Sequence, residues 1–211
     1  MVQGAETSSR EQIKASLLAE ADRLLSLWDT TAEVISDEPE IGHYARRVIE
    51  EDNIPCMLIK WHCEGLTAET WARWQEDPTV IAAAINDKLT RVELPDVDGL
   101  KVRLLKMKMP MIISNRATLT TFYRHTREDG TEVLLHSSQG NEALIEQNSS
   151  EIGWDVVTNN VITYMAWKPF DGGFDITHIS KLDPNGMIPD FIKKKGAERM
   201  ANNVKLIVDY L

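Results

Sequence analysis

The segment Lys181-Leu-Asp-Pro-Asn-Gly-Met-Ile-Pro-Asp190 separates two different hydrophobic patterns and decides the fold. Before it, residues 174–182 alternate between two kinds of side chain in the way that is typical of a half-buried strand. After it, residues 191–211 carry apolar side chains at helical spacing and contain no proline. The Asp-Pro-Asn-Gly residues within the segment favour a turn. The sequence therefore predicts a final strand, a turn and a closing amphipathic helix that grips a curved sheet.

The remaining patterns predict one α+β domain. The capping-box spacing of Ser8 and Glu11 precedes a helical pattern that ends near Trp28, so we expect a helix over about 9–27. Two short helices are expected between strands, one through Trp71 and Trp74 and one from Asp77-Pro78 to Lys88. We expect a disordered tail over 1–8 and a single domain over 9–211. Strand patterns occur near 32–36, 43–50, 56–63, 101–109, 117–126, 131–138, 160–168 and 173–182.

Composition and charge exclude several classes of protein. The chain is 43% hydrophobic and 27% charged, which is ordinary for a globular protein. Its net charge of −10 argues against nucleic-acid binding, which needs clustered cations. No apolar run reaches the roughly 18–20 residues of a membrane span, and the N-terminus lacks the pattern of a secretory signal. Since Cys56 and Cys63 lie on one predicted strand, we expect reduced thiols, a cytoplasmic location and a monomer.

Two segments resemble motifs of the START domains, the lipid transfer domains related to the steroidogenic acute regulatory protein. Met109-Pro-Met-Ile-Ile-Ser-Asn-Arg116 is similar to the loop that leads into a central strand of that family. Asp183-Pro-Asn-Gly-Met-Ile-Pro189 is similar to the turn before its closing helix. The order and spacing of the two motifs, together with the first helix and the length, extend the resemblance over about 9–211.

The resemblance implies a helix-grip fold, in which an antiparallel sheet wraps a hydrophobic cavity and the C-terminal helix covers it. One lipid of the sterol or phospholipid class would be held inside and exchanged at membranes without chemical change. On this basis we expect lipid as the ligand, transient membrane contact, no enzymatic activity and no cofactor or metal. The sequence departs from the family at Ala117, where an acidic residue is usual, and at Phe122, where a second arginine is common. These departures leave the lipid class open.

Strand alternation divides the predicted cavity wall from the outside. Lys106 and Lys108 are expected to face water, so the opposite phase of that strand should face inward. Arg103 could equally lie at an exposed strand end, His178 could be a satisfied structural histidine, and each methionine could be ordinary core. The inward-facing side of the other strands and the apolar side of the last helix are chosen in the same way. The predicted lipid-binding residues are then Arg103, Leu105, Met107, Met109, Thr118, Thr120, Phe122, Phe174, Ile176, His178, Met200 and Val204.

A loop and a basic stretch are candidates for a gate that contacts membranes. The loop contributes Met111, Ile112 and Ile113, which could insert shallowly into a bilayer. Lys193 and Lys194 lie near the start of the last helix and could attract anionic lipid.

Two other functions remain open from the sequence. An enzyme of the cyclase or hydrolase type on the same fold would need polar groups to converge, and the available set is Arg103, Tyr123, Tyr164 and His178. A co-chaperone or interaction domain with a similar fold would have a filled core and a protein partner. A zinc site is not expected, because neighbouring strand residues such as His62 and Cys63 point to opposite faces.

Overall fold

The computed structural model describes residues 3–50, 52–76, 89–109, 113–186, 188–189, 198 and 202. A single ten-stranded sheet dominates these residues, which confirms the predicted α+β class. The strands are β1 (Glu33–Glu38), β2 (His43–Ile49), β3 (Pro55–Glu64), β4 (Leu89–Val97), β5 (Leu100–Met107), β6 (Arg116–Thr126), β7 (Glu132–Ser137), β8 (Val156–Val157), β9 (Asn159–Phe170) and β10 (Gly173–Asp183). The helices are α1 (Gln3–Ser26), α2 (Ala68–Glu76), α3 (Glu142–Gln147), α4 (Ser149–Ile152) and a 3-10 turn (Pro39–Ile41).

The last strand joins the two halves of the sheet. The strand order is β1-β2-β3-β10-β9-β7-β6-β5-β4, and every neighbour in this series is antiparallel. β10 therefore lies between the N-terminal strand β3 and the C-terminal strand β9. The short β8 runs parallel to β6 beside this path. Because β10 pairs with both halves, the sheet can be completed only once the C-terminal part of the chain is in place.

Helix α1 packs on one side of the sheet, which we call the outer face. Its Leu17, Ala21 and Leu24 are buried, so an apolar stripe at helical spacing lies against the strands. The strand residues in this cluster alternate along their strands, which leaves the intervening residues on the opposite side. That opposite side is called the inner face. The buried outer-face residues include Cys56, Leu58, Val133, Leu135, Ile162, Tyr164 and Ile179.

Helices α3 and α4 cover the outer face of β5 and β6. Ile152 packs there with buried residues that include Leu104 and Leu119. The ammonium group of Lys106 donates a hydrogen bond to the carbonyl of Glu151 at 2.7 Å. Lys106 therefore lies on the outward side as predicted and is 32% exposed, but two helices that the sequence did not predict cover part of its side chain. Lys108 is exposed, as predicted.

Most predicted elements are present, with differences at their ends. Helix α1 begins at Gln3 rather than near residue 9, and β5 ends at Met107 rather than at Met109. Strand β4 was not predicted, since Pro95 and charged residues interrupt its apolar pattern; an edge strand tolerates proline. The predicted helix up to Lys88 lies outside the described residues, and so does the final helix except for residues 198 and 202, both of which are helical. The division into a tail and one domain stays a prediction.

Among the described residues, no helix combines the length and apolar character that a membrane span requires.

Replacing the most buried leucine of α1 tests how the helix is held. We expect Leu24→Ala to lower the free energy of unfolding by about 2–4 kcal/mol, because it leaves a cavity between α1 and the outer face. Chemical denaturation of both variants measures the effect, with Ser16→Ala on the exposed side of α1 as the control. Equal stability of the two variants would contradict this packing.

Candidate functional site on the inner face

The strand register places most of the predicted cavity residues on one face. Residues that pair directly across antiparallel strands project to the same side of the sheet. Starting from β5, the pairs run Arg103–Thr120 and Leu105–Thr118. The next strands continue the face through the pairs Phe122–His136, His136–Thr163, Leu134–Met165, Met165–His178, Thr163–Ser180 and Ile176–Trp61. The side chains that were predicted to face inward on β5, β6 and β10 therefore all project from the inner face.

One half of the inner face is apolar and aromatic. Helix α2 closes its end, since the Trp71 ring lies 5.6 Å from the Trp167 ring and 6.4 Å from the Phe174 ring. Partly buried Leu134 and Met165 continue this surface toward the middle of the sheet. The buried members from the strands are Ala45, Met57, Ile59, Trp61, Cys63, Trp167, Phe174 and Ile176.

The other half of the inner face carries a charged group of three residues on the neighbouring strands β4 and β5. Arg103 Nε lies 2.8 Å from Glu93 Oε1, and Arg91 donates to the same carboxylate oxygen. Both arginine side chains are 14% exposed, whereas that of Glu93 is 50% exposed. Burial and the nearby charge of Arg91 lower the pKa of Arg103. Two desolvated guanidinium groups thus share one carboxylate.

Stacked rings lead from Arg103 toward the centre of the face. The Arg103 guanidinium carbon lies 4.4 Å from the centre of the Phe122 ring, a cation–π contact. The other neighbour of Phe122 is the His136 ring, at 4.7 Å between centroids and 17° between planes. The side-chain amide of Asn160 lies 3.2 Å from Nδ1 of His136. The sequence predicted Arg103 and Phe122 here but not the contact between them.

Two histidines on this face are held neutral by their surroundings. Burial, with smaller effects from His178 and Arg103, lowers the pKa of His136 to about 3. Burial lowers the pKa of His178 to about 4. His178 Nδ1 and Thr120 Oγ1 are buried and have no hydrogen-bond partner within the part of the chain that the structure describes. Unpartnered buried polar atoms are costly, so both atoms are suited to contact a polar group of a ligand.

The remaining predicted site residues fall in different places. Met107 is 43% exposed at the end of β5, and Met109 lies beyond that strand, where its N–H donates to Asn115 Oδ1 at 3.1 Å. Ile113 is buried. The predicted gate and helix residues Met111, Ile112, Lys193, Lys194, Met200 and Val204 lie outside the described residues.

The residues of the enzyme alternative do not converge. Tyr123 and Tyr164 belong to the outer-face cluster under α1, whereas Arg103 and His178 lie on the inner face. The sheet separates the two pairs. The candidate metal residues also diverge: Cys63 is on the inner face, while His62 is exposed and its Nδ1 lies 2.7 Å from Asp175 Oδ1.

Sequence analysis missed several polar residues of this face. Arg91 and Glu93 lie on the unpredicted strand β4, so no phase could be assigned to them. His136 shares the phase of Leu134 along β7, and this shared phase was the available signal for it. Asn160 opens a predicted strand, but only the register of β9 brings its amide to His136.

The two sequence motifs are joined by the side chain of Arg116. Its guanidinium group donates to the carbonyl oxygens of Pro184 at 2.8 Å and Asn185 at 3.0 Å, and also to that of Ser114. Asn185 Nδ2 in turn donates to the carbonyl of Val157 at 2.7 Å. The loop before β6 and the turn after β10 are therefore held together at the same end of the sheet.

The fold matches that of solved START-type lipid transfer domains, which confirms the resemblance at the level of the fold. Human STARD10 matches with a TM-score of 0.69 and 13% identity over 90% of this chain and 77% of that chain. Human StAR-related lipid transfer protein 5 matches with a TM-score of 0.66 and 14% identity over 95% and 99% of the two chains. A STAR-related lipid transfer protein from Xanthomonas axonopodis gives 0.62 and 13% over 83% and 96%. No protein-family model matches the chain. No curated protein matches its sequence.

Removing the guanidinium group that joins the motifs is expected to destabilise the fold. Arg116→Gln should lower the free energy of unfolding by about 2–3 kcal/mol, because hydrogen bonds from a charged donor to buried carbonyls are lost. Chemical denaturation provides the measurement. Arg124→Gln, an exposed arginine of the same strand, is the control and should stay near wild type. A small effect at Arg116 would mean that the turn is held by other contacts.

The two neutral histidines predict a pH dependence of stability. Their folded pKa values of about 3 and about 4 lie below the ordinary value of about 6.5, so below pH 6.5 the unfolded chain binds more protons. Their favourable effect is present above about pH 6.5 and is lost as the pH falls toward 4. We expect replacement of each histidine by glutamine to reduce the slope of unfolding free energy against pH by up to about 1.4 kcal/mol per unit. Denaturant titrations from pH 7 to 4 measure the slopes, and an unchanged slope in the His136→Gln, His178→Gln double variant would refute the prediction.

Proposed function

We propose that this protein binds one lipid against the inner face of its sheet and transfers it between membranes. The observation that carries the proposal is the two-part character of that face. An apolar half formed by residues such as Ile59, Met165 and Ile176 adjoins a half with buried polar atoms. A molecule with a long apolar part and a small polar end matches both halves.

The apolar half supplies the main binding energy in this proposal. Burial of apolar surface contributes roughly 25 cal/mol per Å² before the costs of ordering, so each buried methylene contributes about 0.8 kcal/mol. Met165 suits this role because methionine is unbranched and adapts to irregular chains. Leu134 and Met165 are only partly buried by the protein itself, which leaves apolar surface available to a ligand.

Two of the matched proteins, human StAR-related lipid transfer protein 5 and the protein from Xanthomonas axonopodis, are named as lipid transfer proteins, and the fold likeness makes the same activity the leading candidate for this chain. The proposed ligand belongs to the sterol or phospholipid class. Membrane contact is assigned to Met111 and Ile112 of the loop and to Lys193 and Lys194, but not to the predicted Ile113, because its side chain is buried. The free cysteines Cys56 and Cys63 suit a cytoplasmic location, which is part of the proposal. An enzymatic role lacks support, because its polar set is split between two faces.

Blocking the apolar half should prevent lipid retention. Met165→Trp places a larger side chain on the inner face and should weaken lipid binding about tenfold, since overpacking costs about 1–3 kcal/mol. The measurements are native mass spectrometry after incubation with mixed sterol and phospholipid vesicles, and transfer of a labelled lipid between vesicles.

Lys168→Trp, at an exposed position of the same strand, is the matched control and should retain lipid as the wild type does. Absence of any retained lipid in the wild-type protein, together with no transfer above the spontaneous rate, would refute lipid transfer. Capture of a stoichiometric protein partner by a lipid-free chain would instead favour the interaction-domain alternative.

A further inference from the structure

The group of Arg91, Glu93 and Arg103 carries an uncompensated positive charge. Arg91 and Arg103 contribute two positive charges, and Glu93 contributes one negative charge, which leaves a net charge of +1 in this group. The two histidines of the same face are neutral, as argued above. The described strand residues that surround the group, Leu105, Thr118, Thr120 and Phe122, contribute no negative charge. A desolvated site with excess positive charge favours an anion.

Hydrogen-bonding capacity in this group is also incomplete. The Nη1 atom of Arg91 is buried and has no hydrogen-bond partner among the described residues. Thr120, the direct cross-strand neighbour of Arg103, has a buried hydroxyl that likewise finds no partner in the described part of the chain. Glu93 accepts from both arginines through the same oxygen, Oε1. Donors thus outnumber the acceptors present, and a carboxylate or phosphate would supply the missing acceptor oxygens.

The position of the group relative to the apolar half defines the orientation of such a ligand. The stacked rings of Phe122 and His136 connect the arginines with Leu134 and Met165, the partly buried apolar residues at the middle of the face. A ligand whose anion contacts Arg91 and Arg103 can therefore lay its hydrocarbon part across Phe122 toward Met165. A neutral hydroxyl at the same place would leave the excess charge uncompensated.

We propose that the ligand is an anionic lipid, whose carboxylate or phosphate is bound by Arg91 and Arg103 with Thr120 as an additional donor. This inference rests on the proposed lipid-binding function and specifies the chemistry of its ligand. Within the proposed phospholipid class a phosphatidic acid has the required chemistry, and a fatty acid, which lies outside that class, has it as well, since each joins an anion to apolar chains. Guanidinium groups suit both, because their planar fork matches either kind of oxygen pair.

Pairs of lipids that differ only in charge test the proposal. The delipidated full chain is offered equimolar oleate and oleyl alcohol, and separately dioleoyl phosphatidic acid and dioleoylglycerol, and the bound lipid is quantified by native mass spectrometry. The wild-type protein should prefer the anionic member of at least one pair by about tenfold or more, the factor expected for charge-assisted hydrogen bonds. The pair that shows the larger preference identifies carboxylate or phosphate as the natural anion.

Substitutions connect that preference with the two arginines. Arg91→Gln and Arg103→Gln should each reduce the preference severalfold, because they weaken binding of the anionic member more than binding of the neutral member. Arg103→Lys, which keeps the charge without the planar fork, should retain part of it. Arg46→Gln is the matched control, because Arg46 is 15% exposed and is also paired with a carboxylate, that of Asp37, but lies on the outer face, where it pairs across the strands with Leu58.

The outcomes separate this inference from the function on which it rests. Equal or tighter binding of the neutral lipids by the wild-type protein would overturn the anionic specificity and leave lipid transfer intact. The same holds if the anionic preference survives both glutamine substitutions in variants whose thermal unfolding matches that of the Arg46→Gln control. Failure to bind either member of either pair would count against lipid binding itself.

Discussion

The hydrogen bonds from Arg116 to the carbonyl oxygens of Pro184 and Asn185 fix the point at which the chain leaves the sheet. These bonds include no carboxylate, so burying the charged guanidinium group of Arg116 costs free energy, and burial lowers its pKa. The cost is offset because its planar donors satisfy backbone carbonyls of a turn that has no strand partner. The direction in which the chain continues after β10 depends on this junction, and so does the position of β6 beside it.

The central location of β10 extends that constraint across the sheet. β10 pairs with β3 on one side and with β9 on the other, so its register aligns both halves. A slip of one residue would exchange the faces, moving Ile179 from beneath α1 and placing His178 there instead. Helix α1, and helices α3 and α4 together, pack against the outer face and so constrain which residues can occupy it. The inner face can therefore carry residues that this packing does not require.

Electrostatics distinguish the two halves of the inner face. The apolar half resembles an ordinary core that α2 closes with Trp71. In the charged half, Arg91 and Arg103 are desolvated while Glu93 keeps access to water. Such an arrangement weakens the fold unless another group completes it. Residues that destabilise a protein and yet have defined geometry, such as Arg103 over Phe122, are typical of a binding site.

The sequence alone determined the α+β class, the positions of most strands, and which side chains of β5, β6 and β10 face inward. It could do so because apolar and polar residues alternate along any strand that has one apolar side. It also indicated the two motifs at Arg116 and at residues 183–189, but not that they touch. Only the tertiary structure decided which strands are neighbours, since pairing depends on contacts between distant residues. For that reason the group of Arg91, Glu93 and Arg103, the stack of Phe122 on His136, and the separation of Tyr123 and Tyr164 from the inner face could not be predicted. Each of these depends on register between strands, which local patterns do not encode.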